Sequence, residues 1–178
     1  MKILYIYPHF ANKAGTERVL IDKMNWLSAH GYKVFALSYE QGGHPFSYPI
    51  SSSVERVDLG VRFFPLYKMS LVKRFLFVMW KRRLLYKRLN FFLKCNHPDV
   101  VICTTYTLEI IRDLAKTCPF LEIPFVVESH VLCDSVSKSF KYRNRPFLFP
   151  LVSLYDKWML RYLSYQFAII ILCYRDYL

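Results

Sequence analysis

The chain has neither a GxGxxG fingerprint nor a GxxxxGK[ST] loop, the glycine patterns that cradle dinucleotides and NTP phosphates. Neither NAD binding nor ordinary NTP hydrolysis is therefore supported. Its five cysteines, Cys95, Cys103, Cys118, Cys133 and Cys173, lie far apart, are odd in number and form no CxxC or Cys/His ligand pair. Such spacing argues against a disulfide framework and a metal site, and reads as reduced cytosolic thiols that fill a core. Long apolar runs are missing too: the longest, Phe75 to Trp80 and Phe167 to Tyr174, fall far short of the roughly 20 residues that cross a bilayer. The opening run Met1 to Tyr7 is cut by Pro8 and His9 before a signal-peptide core and cleavage site can form, and reads as a first strand. Finally, from Leu59 to Pro98 there are ten basic residues and no acid.

What is present is a core. Hydrophobic residues make up 54% of the 178, with 15 Phe, 14 Tyr and 3 Trp, a composition that excludes disorder. One domain of this length buries roughly two thirds of its unfolded surface. The net charge of +12 is local: outside the acid-free segment, 15 basic residues face 13 acidic ones. A charged surface confined to one segment needs a local partner or a local structural reason.

Periodicity orders the chain. Lys2 to Tyr7 is apolar on both faces, as a strand covered on both sides must be. Glu17 to His30 places Leu20, Met24 and Leu27 at helical spacing, with an acid in the first turn and Gly31 at the C-cap. Lys33 to Tyr39 and Val54 to Leu59 read as strands, and Ser70 to Lys94 has helical length without Gly or Pro. Val100 to Cys103 is a buried-type strand, Leu108 to Lys116 a helix, and Ile123 to His130 a further strand. Phe147 to Ser164 then predicts a helix and Ala168 to Cys173 a last strand. Alternation of this kind predicts an α/β, Rossmann-like, doubly wound and mostly parallel sheet, formed as a single domain over 1–178. Ligands of such sheets sit beyond the carboxyl ends of the strands.

That rule selects the candidates. Gly15 and Thr16 lie in the loop that leads from the first strand into the first helix, where free N–H groups and the helix dipole can hold a phosphate; Glu17, if turned inward, competes with an anion there, and a plain turn with a capping residue is the alternative. Arg18 and Tyr106 border the same edge. His130 ends an apolar strand and can donate to a sugar hydroxyl or phosphate oxygen. Glu128 lies two residues earlier on the same strand face, as acid/base partner or as counter-ion to nearby cations. Lys141, Arg143 and Arg145 fall in a basic loop with interleaved aromatics, suited to an anionic ligand or surface. In the acid-free segment, Lys81, Arg82, Arg83, Lys87 and Arg88 stand among Phe75, Phe77, Trp80, Tyr86, Phe91 and Phe92. Such a segment suits an anionic leaflet, where each cation adds about 1 kcal/mol; a sheet-packed helix with outward-snorkelling cations is the alternative.

Taken in order, Lys2-Ile3-Leu4-Tyr5-Ile6, Ala14-Gly15-Thr16-Glu17-Arg18-Val19, His30-Gly31-Tyr32-Lys33-Val34, Pro98-Asp99-Val100-Val101 and Val126-Val127-Glu128-Ser129-His130 resemble the N-terminal domain of GT-B glycosyltransferases, family 4. The resemblance runs over essentially the whole chain. It implies a retaining, metal-independent sugar transfer that needs no cofactor beyond a nucleotide-sugar donor. It also implies a C-terminal nucleotide-sugar-binding domain, absent here, that carries a pair of glutamates. By that likeness the chain is the acceptor-binding half, Gly15 and Thr16 approach the donor diphosphate or sugar, and His130 is the catalytic contact to the transferred sugar. Ala14-Gly15 stands where the family often has two glycines, Cys173 where it has Ser or Thr, and Gln166-Phe167 where it has Ala-Asp.

The sequence therefore predicts a cytoplasmic acceptor-side domain, peripheral at the inner membrane face, whose acceptor is a glycan or lipid-linked. Without a partner chain or second domain it is expected to be inactive. The competing expectation is a non-catalytic module binding anionic membrane or, less favoured, nucleic acid.

Overall fold

The computed structural model describes residues 1–62, 70–104 and 108–128. Eight elements follow one another there: β1 (Lys2–Ile6), α1 (Gly15–Ala29), β2 (Lys33–Ser38), β3 (Glu55–Asp58), α2 (Leu71–Asn96), β4 (Val100–Thr104), α3 (Leu108–Phe120) and β5 (Phe125–Glu128). The chain divides into two compact units, residues 1–125 and 126–178. The strands form one sheet in the order β3-β2-β1-β4-β5, and β1 pairs in parallel with both β2 and β4, as β2 does with β3. This is the Rossmann-like α/β arrangement that the alternation of strands and helices predicts.

Each face of the sheet has its own cover. Ile3 and Tyr5 point to one side of β1, Leu4 and Ile6 to the other, and all four are at most 3% exposed. On the first side they join Val34 and Ala36 of β2 beneath Leu20, Ile21 and Met24 of α1. On the second, α2 buries Leu85, Leu89 and Leu93, one stripe at four-residue spacing, and Phe92 meets Phe35 of β2 edge-on at 5.7 Å. Handedness explains the division. The step from β1 to β2 runs one way along the sheet, while those from β3 to β4 and β4 to β5 run the other way. Right-handed crossovers therefore place α1 on one face and α2 with α3 on the opposite one.

The helix ends follow the sequence closely. Gly31, at φ 83°, closes α1: its N–H donates to the Ser28 carbonyl and that of Tyr32 to the Leu27 carbonyl, both at 3.2 Å. The largest difference at a helix end is in α3. Helix α3 does not stop at Lys116 but continues through Pro119 to Phe120. Proline costs one N–H in the final turn, yet the following chain recovers that turn's carbonyls. The Ile123 N–H donates to Cys118 O at 2.9 Å and the Glu122 N–H to Pro119 O at 3.2 Å, with Glu122 at φ 56°. The helix predicted over Phe147 to Ser164 and the strand over Ala168 to Cys173 lie outside the described residues.

Of the cysteines described, Cys103 and Cys118 are buried and Cys95 is exposed. Burial pushes the Cys118 thiol up to about 12, so at neutral pH it keeps its proton and is a poor nucleophile. Alkylation mapped by mass spectrometry at neutral pH is expected to label Cys95 in the native chain and Cys118 only after denaturation. For α2, Leu89→Ala is expected to cost about 2–5 kcal/mol in urea unfolding. Phe91→Ala, two residues on but 71% exposed, is expected to stay within about 0.5 kcal/mol of the parent. Equal losses would contradict the packing of α2 on the sheet.

Candidate functional site

In the strand order the direction of succession reverses between the parallel neighbours β1 and β4, and sheets of this kind take ligands beyond the carboxyl ends of the strands at such a point. The β1 connection is residues 7–14, and it is held in place from several sides. The Tyr7 N–H donates to Leu37 O at 3.0 Å; Pro8 O accepts from the Tyr39 and Glu40 N–H groups at 3.2 and 2.9 Å; Phe10 O accepts from the Ser47 N–H at 2.8 Å. Buried Gln41 ties the same loop to the β2–β3 connection, accepting from the Phe10 N–H at 2.7 Å and donating to His44 O at 2.7 Å. Phe10 is itself buried, 4.8 Å from the stacked ring of Phe46 and 5.4 Å from Tyr7. A loop anchored in this way is pre-shaped.

It delivers the first turn of α1. Ala14 is the N-cap in extended conformation and contributes no side-chain cap, so the leading N–H groups receive no side-chain partner from it. Gly15 is exposed, and a Cβ built on it meets nothing within 4 Å, so open space adjoins the helix start. Thr16 is half-buried. Glu17 is buried at 3% exposure, at the head of the stripe continued by Leu20, Ile21 and Met24, a position where an apolar residue is the ordinary choice. The Tyr7 hydroxyl donates to its Oε1 at 3.2 Å, whereas Oε2, also buried, has no hydrogen-bond partner among the described residues. Nδ1 of half-buried His9, in the same loop, is likewise buried and unpartnered there.

Buried carboxylate oxygens are ordinarily satisfied, so Glu17 calls for a chemical reason. The turn offers N–H donors beside a buried acceptor. A group that both donates and accepts, such as a hydroxyl, satisfies both; a phosphate satisfies only the donors and meets the carboxylate's negative charge.

The remaining candidates separate. Arg18 turns outward and lies 3.8 Å from Asp22 in an exposed pair, so it does not join Glu17. Glu128 ends β5 and is buried. Tyr106, His130, Lys141, Arg143 and Arg145 lie outside the described residues. The α2 cations occupy the opposite sheet face from α1 and are not equivalent. Arg88 donates to Leu59 O, Lys81 lies over the rings of Phe77 and Trp80 at 5.3 and 5.0 Å, Arg82 is half-buried, and Arg83 and Lys87 are exposed. Residue patterning missed Tyr7, His9 and Gln41 as contributors. Tyr7 was nevertheless accessible: it continues the Ile3, Tyr5 alternation onto the α1 face at the carboxyl end of the strand.

No family model matches the chain, and no curated protein matches it. Among solved structures it is similar to apo UGT2 of Phytolacca americana, with 16% identity and a TM-score of 0.49 over 88% of this chain and 33% of that one. The chain thus spans about a third of that structure's length.

Among the described residues no His/Cys/Asp/Glu group is arranged to hold a metal. Tyr7→Phe removes a donor from a buried carboxylate and is expected to cost about 1–3 kcal/mol in urea unfolding. Glu17→Gln keeps an acceptor for Tyr7 while removing a buried charge, and is expected to leave the midpoint unchanged or higher. A large loss in Glu17→Gln would show that the charge serves stability.

Proposed function

We propose that this chain is the acceptor-binding half of a retaining glycosyltransferase that moves a sugar from a nucleotide-sugar to a glycan or lipid-linked acceptor. The observation that carries the reading is Glu17, a buried carboxylate with one unpartnered oxygen, set beside uncapped N–H groups at the switch point of a doubly wound sheet. Carbohydrates present closely spaced hydroxyls, each a donor and an acceptor, and this pairing suits them. The Rossmann-like fold and the ordered motifs from Lys2 to His130 support the same reading.

On this proposal Glu17 accepts from a sugar hydroxyl, the Gly15 and Thr16 N–H groups donate to neighbouring oxygens, and Tyr7 orients the carboxylate. The buried charge makes the first turn a sugar subsite in preference to a diphosphate subsite. His130 contacts the transferred sugar, and Tyr106 and Glu128 border the cleft. Departure of the nucleotide diphosphate builds negative charge that fixed dipoles and cations stabilise, and a second nucleotide-sugar-binding domain or partner chain supplies most of them. The reaction then takes place on the cytoplasmic side, where nucleotide-sugars serve as donors.

The purified 178-residue chain is expected to turn over nucleotide-sugars at background and to bind oligosaccharides weakly. Glu17→Gln is expected to weaken saccharide binding about tenfold, the loss of one charged hydrogen bond, with the unfolding midpoint retained. Robust turnover by the chain alone, or saccharide binding indifferent to Glu17→Gln, would overturn the proposal.

A further inference from the structure

Helix α2 is longer than the sheet it covers. Its 26 residues span about 39 Å, whereas five-residue strands span about 17 Å. Its carboxyl end is tied to the start of the sheet: Lys2 Nζ donates to Asn96 O at 3.0 Å, and the Lys2 N–H donates to Asp99 Oδ2 at 2.6 Å. At the other edge, Arg88 donates to Leu59 O just past the end of β3. The helix runs against the strands, so its amino-terminal half passes beyond their carboxyl ends, the edge that carries the first turn of α1. The buried Leu85, Leu89 and Leu93 all fall in the second half.

The first half presents the reverse pattern. Phe75, Leu76, Met79 and Trp80 are 65, 62, 42 and 57% exposed, and their spacing places them on one helical face. Arg83 and Lys87, both exposed, continue that face. Lys73 is exposed near its start, and Lys81 lies against the Phe77 and Trp80 rings. No acid occurs anywhere in the helix. Beside Lys87 and Arg88 lies a shallow groove of about 390 Å³, lined also by Phe91, Phe92, Leu59 and Asp58. The Asp58 oxygens are already engaged, accepting from the Gly42 and Gly60 N–H groups at 3.0 Å.

We propose that this overhang is an interfacial membrane wedge: Phe75, Leu76, Met79 and Trp80 enter the headgroup boundary of an anionic bilayer while Lys73, Arg83 and Lys87 meet its phosphates. Exposed apolar side chains on a helix whose only charges are cationic match an anionic leaflet, which offers acyl chains and negative charge together. Single-stranded nucleic acid fits less well, because Leu76 and Met79 at the centre of the patch have no π-face for a base to stack on. No helix among the described residues is long and apolar enough to cross a membrane, so the contact is interfacial. The inference is independent of the sugar-transfer reading.

The test is co-sedimentation of the 178-residue chain with phosphatidylcholine vesicles, with and without about 30 mol% phosphatidylglycerol, at about 0.1 and 0.5 M NaCl. Binding is expected only with the anionic lipid and is expected to weaken at high salt. The pair Arg83→Glu with Lys87→Glu, and separately Phe75→Ser with Trp80→Ser, is expected to reduce it tenfold or more with unfolding midpoints unchanged. Brominated lipids are expected to quench tryptophan emission in the parent but not in Trp80→Phe, which still binds; this arm holds even if a charge variant fails to fold. No binding to anionic vesicles, undiminished binding by both variant pairs, quenching that survives Trp80→Phe, or tighter binding to a single-stranded oligonucleotide than to anionic vesicles would each overturn the wedge.

Discussion

A central parallel strand must be covered on both faces, and everything else in this fold is arranged around that need. In β1 the four residues from Ile3 to Ile6 alternate sides and all are buried, so a helix is required above and another below. Right-handed crossovers then leave little freedom: α1 takes one face, and α2 with α3 the other. The reversal in strand succession that results lies between β1 and β4, the kind of point at which such sheets take ligands.

Glu17 shows how a buried polar position differs from a packing position. It heads the stripe of Leu20, Ile21 and Met24, where a leucine would pack without desolvating a charge. Its carboxylate is held instead by Tyr7 on one oxygen and unpartnered among the described residues on the other. A charge in a first turn gains from the helix dipole, and burial takes hydration from it. The local sequence is therefore in conflict with core packing.

Helix α2 joins two demands in one segment. Its second half obeys the sheet through Leu85, Leu89 and Leu93, and its first half extends past the sheet with aromatic, aliphatic and cationic groups in water. An average over all 26 residues hides both patterns, because their apolar stripes lie on different sides of the helix. This is why its charges, read from the sequence, fall on nearly every side. Of the two competing readings of the segment, a helix packed on the sheet describes the second half, and a surface for anions is the proposal made for the first.

The sequence by itself determined the element order, the parallel sheet, the Gly31 cap and the location of the acid-free segment, because these follow from local periodicity, turn chemistry and composition. It marked the loop leading into α1 as a candidate, and it named inward-facing Glu17 as the condition that would disfavour an anion there. Whether Glu17 faces inward was a tertiary matter: a helix wheel gives the stripe, but only packing against β1 brings Tyr7 onto the carboxylate. The anchoring of the loop by Gln41 was equally invisible, since it joins residues thirty-one apart with no motif between them. So was the engagement of Arg88, which looks like any other surface cation until the end of β3 is brought beside it. Tertiary structure also decided where α2 outruns the sheet, because overhang depends on the length of the strands beneath it and not on the helix alone.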